Sequence, residues 1–75
     1  MEPRDAVLAV LREEADALHW TRIQDLVLRR GHLDPFATPD VRRTVQTAIR
    51  ELVRDGLVRK EAKGVYRLAT GDAGP

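Results

Sequence analysis

The sequence predicts a mainly α-helical domain closed by a small β-hairpin: three helices followed by a two-stranded wing. Three observations predict it. Apolar residues recur at helical spacing in three stretches before Gly56, and Gly31 and Asp55-Gly56 punctuate the ends of the second and third. After Gly56 the apolar period shortens to strand-like alternation, with Gly64 where the chain must turn back.

Residues 4–16 carry Val7, Leu8, Val10, Leu11 and Ala15, with Leu18 just beyond, and Val7, Leu11, Ala15 and Leu18 fall on one helical stripe. Pro3 suits an early helical position, and Asp5 suits the positive end of the helix dipole. Leu18-His19-Trp20 is long enough only for a bridging strand. Thr21 then offers an N-cap, with Gln24 three residues on to complete a capping box. Ile23, Leu26 and Val27 form the buried face of this second helix, Arg29 and Arg30 complement its negative end, and Gly31 stops it. His32 to Ala37 is a loop.

The third helix, 39–55, has the most regular pattern. Thr38 offers its hydroxyl as N-cap, Pro39 sits at the first helical position, and Asp40 adds an acid to the first turn. Val41, Val45, Ala48, Ile49, Leu52 and Val53 make its apolar stripe. In the wing, 57–68, Leu57-Val58-Arg59-Lys60 and Val65-Tyr66-Arg67-Leu68 flank Glu61-Ala62-Lys63-Gly64. Alternation turns Tyr66 and Leu68 inward and Arg67 outward. Three helices and a basic hairpin in this order define a winged helix-turn-helix spanning 1–69. Residues 70–75 have no apolar anchor and are expected to be a disordered C-terminal tail.

At 75 residues the chain makes one domain, with little interior to spare for a substrate pocket beside a core. It has no cysteine and no serine, so disulfides, thiolate ligands and the commonest nucleophiles are missing. Its five glycines do not form a GxGxxG or P-loop pattern. His19 and His32 are thirteen positions apart with no evident third ligand, so neither a metal nor a cofactor is expected. Glu13, Glu14 and Asp16 point in different directions around a helix and are expected to be simply solvated. Trp20 and Phe36 are expected to pack in the core rather than stack on bases. No enzymatic constellation results. The absence of cysteines, of a long apolar run and of a signal-like start predicts a cytoplasmic protein with no membrane partner, nucleoid-associated if it binds DNA.

Net charge is only +1, but its distribution is uneven. Residues 1–40 hold five arginines against eight acids, whereas residues 41–69 hold eight bases against three acids. On a helical wheel Arg43, Thr47, Arg50 and Arg54 share the side opposite the apolar stripe. Glu51 and Asp55 lie on one flank, and Arg42 and Gln46 on the other. Guanidinium groups suit phosphates and guanine edges, and Gln46 suits adenine. Arg59, Lys60, Lys63 and Arg67 belong to the wing. The resulting expectation is double-stranded DNA, with the third helix in the major groove and the wing on the flanking backbone. A single winged helix contacts few base pairs, so a homodimer or a transcription or restriction protein is the expected partner.

Several of these segments also resemble the HARE-HTH family of winged-helix modules: Leu18-His19-Trp20, Ile23 with Arg29-Arg30-Gly31, Thr38-Pro39-Asp40, Thr44-Val45 with Ala48-Ile49, and Gly64-Val65-Tyr66-Arg67-Leu68. The resemblance runs from about Val7 to Leu68 and departs at Glu61-Ala62 in the wing turn and in the stretch after Pro39, which is one residue longer than the family's. It implies a tri-helical core with a wing and, for most members, DNA binding in transcription regulation, chromatin or restriction-associated proteins. The delta subunit of bacterial RNA polymerase uses a similar domain on a protein. The alternative is therefore a protein-docking module, meeting its partner through Glu13, Glu14 and Asp16 or through the arginine strip itself.

Overall fold

The computed structural model describes residues 1–69, and the expected disordered tail, 70–75, lies outside them. Helix α1 (Pro3–Glu14) leads into a short strand β1 (Leu18–His19), helix α2 (Trp20–Arg29) and helix α3 (Val41–Arg54). Strands β2 (Val58–Ala62) and β3 (Val65–Leu68) complete the fold. The strands form one antiparallel sheet in the order β1-β3-β2. Three helices with this hairpin have the architecture of a small winged helix.

α1 packs against both α2 and α3, and the core they enclose contains no polar side chain among the described residues. Val7, Val10 and Leu11 come from α1, Ile23, Leu26 and Val27 from α2, and Val45, Ala48, Ile49 and Leu52 from α3, with Val58 closing the wing side. Each valine, leucine or isoleucine buried in this way contributes about 1.5–3 kcal/mol. Tyr66 and Leu68 pack against this core while Arg67 is exposed, which is the alternation the sequence predicts.

Four local expectations are corrected. α1 ends at Glu14, because Ala15 takes a left-handed conformation (φ 54°) as its C-cap and is exposed. Ala6 and Val10 supply the burial expected of Ala15. α2 begins two residues earlier than expected, and Thr21 is not its cap: His19 is, its Nδ1 accepting from the Thr21 backbone N–H at 3.2 Å. Gln24 makes no capping-box bond, and its Oε1 is buried without a protein partner. α3 begins at Val41 rather than 39, capped by Asp40, whose Oδ1 accepts from the Arg43 N–H at 3.0 Å, and not by Thr38. Phe36 does not pack in the core: it is 97% exposed. Leu33 is the buried anchor of that loop, and the Asp34 carboxylate accepts from the Phe36 N–H in an Asx turn that carries the ring outward.

The wing is tied to α2 at one point. The Trp20 N–H donates to the Gly64 carbonyl at 2.8 Å, and a Cβ added at Gly64 would lie 2.9 Å from Nε2 of the His19 ring. Gly64 also has φ +74°. An alanine there would strain the backbone and push the ring that caps α2. Gly31 (φ +71°) has open space around it. Urea unfolding should therefore show Gly31→Ala losing about 1–2 kcal/mol for its left-handed backbone. Gly64→Ala should lose roughly 1 kcal/mol more, for the weakened cap. Equal losses would show that His19 yields freely.

Candidate nucleic-acid interface

Burial of one side of α3 presents the other. Arg43, Arg50 and Arg54 are exposed and Thr47 is half-buried among them, so the four expected strip residues share one surface. Arg50 Nη2 donates to Thr47 Oγ1 at a long 3.5 Å. Arg54 is the strip member that meets a carboxylate of its own chain, with Nε 3.3 Å from Asp55 Oδ1.

The two flanks differ in character. On the α1 side, Arg4 Nη2 donates to Asp55 Oδ2 at 2.6 Å, and Arg4 Nη1 lies 3.9 Å from Glu51 Oε1. The acids of that flank are therefore bound from α1. A groove of about 580 Å³ lies there, lined by residues that include Arg4, Asp5, Asp40, Arg43 and Thr47. On the wing side, the Arg42 guanidinium rests over the Trp20 ring, 5.3 Å from its centroid, and Gln46 lines a smaller cleft.

The wing bases do not form one set. In the β2–β3 register Arg59 faces Arg67, and Lys60 faces Tyr66. Since Tyr66 packs on the core, Lys60 emerges on the sheet face turned toward the helices, and Arg59 and Arg67 share the opposite face. Two like charges directly across a strand pair repel unless an anion intervenes. The neighbouring Glu61 stands in a β-bulge between Lys60 and Ala62, and its carboxylate is 4.0 Å from Arg67. Lys63 lies in the hairpin turn.

Outside α3 and the wing, arginines are mostly paired internally. Arg22 and Arg29 both reach Asp25. Arg30 donates to Glu13 at 2.7 Å and to Glu14 at 2.5 Å, and His32 Nε2 lies 3.2 Å from Glu13. Glu13 and Glu14 are thus not simply solvated, as expected from their spacing. The α1–α2 packing brings Arg30 to both, contacts across seventeen and sixteen residues that helical periodicity does not reveal. Arg12 has no carboxylate partner among the described residues, and neither do Arg42, Arg43, Arg50, Arg59, Lys60 and Lys63.

No family model, curated protein or solved structure matches the chain. Among the described residues no helix is long and apolar enough to cross a membrane.

The ion pairs set an acid limit on stability. The hydrogen bond from Arg30, and after it that from His32, hold the Glu13 carboxyl below its ordinary range. Those from Arg4 and then Arg54 do the same for Asp55. A carboxyl whose pKa is lowered by folding stabilises the fold above its unfolded pKa and loses that contribution as pH falls through the folded value. Melting temperature should therefore drop as pH is lowered from the ordinary carboxylate range. The drop should be smaller in Arg4→Ala and Arg30→Ala, whose stability at neutral pH is already reduced. Parallel pH profiles for wild type and variants would contradict this assignment.

Proposed function

We propose that this protein is a double-stranded DNA-binding winged-helix module, a transcriptional regulator or a nucleoid- or restriction-associated component, and not an enzyme. α3 enters the major groove and the wing follows the flanking backbone. The observation that carries this reading is the partition of charge pairing. Arginines of α1 and α2 are largely spent on the chain's own carboxylates, whereas Arg43 and Arg50 on α3 and Arg59, Lys60 and Lys63 on the wing are left for an external anion. The repeating anion that fits a helix face together with a cationic hairpin is a duplex phosphate backbone. The resemblance to HARE-HTH modules points the same way. A homodimer or a transcription or restriction protein would extend the short site one domain can contact.

In the docking alternative the α1 surface would present Asp16 together with Glu13 and Glu14, the latter two already paired with Arg30. What favours a protein partner is Phe36, whose ring stands in solvent between α2 and α3.

Anisotropy titrations with a short duplex test the proposal. Affinity should fall steeply with salt. Arg50→Glu should weaken binding on the order of 10- to 100-fold and flatten the salt dependence. Arg12→Glu, altering an equally unpaired arginine on α1, should change affinity little. Equal losses would remove α3 from the interface.

A further inference from the structure

On the wing side of the strip, α3 and the sheet do not close on each other. Trp20, Gln46, Ile49, Arg50 and Tyr66 line a cleft of about 160 Å³ between the start of α2, the middle of α3 and the central strand. Pockets for drug-sized molecules begin at roughly 300 Å³, so this one has room for a single ring system. Both aromatic rings in its wall are half-buried, held in place by the core yet still reachable. The long bond from Arg50 to Thr47 is the one side-chain hydrogen bond a lining residue makes among the described residues, which leaves the Gln46 carboxamide, the Tyr66 hydroxyl and the Trp20 indole N–H available. The surroundings are cationic: Arg42 lies over Trp20, Arg50 is in the wall, and Lys60 stands across the strands from Tyr66.

Two aromatic side chains, a carboxamide and flanking cations are groups that an unpaired nucleobase can use. The rings take its face, the amide its edge and the cations its phosphates. A base inside an intact duplex has both faces already stacked and its pairing edge occupied, so it cannot enter. We propose that this cleft holds one unpaired base of a DNA strand, with adenine matching the donor and acceptor of Gln46 best. The proposal rests on the duplex-binding reading and narrows it: the preferred substrate is a duplex interrupted by an extrahelical base.

Trp20 is the chain's one tryptophan, so its fluorescence reports on the cleft directly. Three hairpin oligonucleotides of one duplex sequence serve as probes: fully paired, carrying a single bulged adenine, and carrying an abasic residue in the bulge. The adenine bulge should bind on the order of 5- to 100-fold more tightly than either control and should quench Trp20 emission. Gln46→Ala should narrow that gap. Equal binding of all three, or a bulge preference with unchanged Trp20 emission, would overturn the cleft assignment and leave duplex binding standing. Failure of all three to bind at low salt would remove the duplex reading itself, and this proposal with it.

Discussion

Burial of Val45, Ala48, Ile49 and Leu52 fixes the rotation of α3 about its own axis, and the placement of every other α3 side chain follows from that rotation. A turn of about 100° per residue leaves Arg43, Thr47, Arg50 and Arg54 no place but the opposite side. The same constraint sends Glu51 and Asp55 toward α1, where Arg4 binds them, and Arg42 and Gln46 toward the wing, where Trp20 and Tyr66 stand. The helix therefore separates an acid-bearing flank from an aromatic and cationic one.

Charge on this protein is better described by its pairing than by its sum. A net charge of +1 describes a nearly neutral chain, yet ion pairs within α2, from Arg30 to α1 and from Arg4 to the end of α3 match four of the first half's five arginines internally. These exposed ion pairs add little stability individually. Their effect lies in what they leave over: a surface on α3 and the wing whose cations have few intramolecular competitors. The wing divides further, because strand alternation puts Lys60 on one face and Arg59 with Arg67 on the other.

Much of the fold was legible because long periodic patterns are redundant. The α3 stripe repeats through three turns, and after Gly64 the Val65–Leu68 run alternates with a different, strand-like period. Single-residue features were less legible. Thr21 and Thr38 are good caps in isolation, but His19 and Asp40 hold those positions because the strand and loop geometry delivers them there. The burial of Leu33 and the exposure of Phe36 were decided by the path of one loop, which composition does not encode. For the site, periodicity located the strip and the wing bases. Contacts between elements, such as Arg30 with Glu13 and Glu14 or Arg42 with Trp20, needed the tertiary arrangement.

The most direct measurement of the central claim is a map of backbone amide chemical-shift changes as a short duplex is added to the labelled protein. If α3 and the wing form the duplex interface, the changes are confined to them and centred on Arg43, Arg50 and Lys60, with α1 and the Phe36 loop unmoved. Changes centred on the Phe36 loop or the outer face of α1, with α3 silent, would contradict that claim.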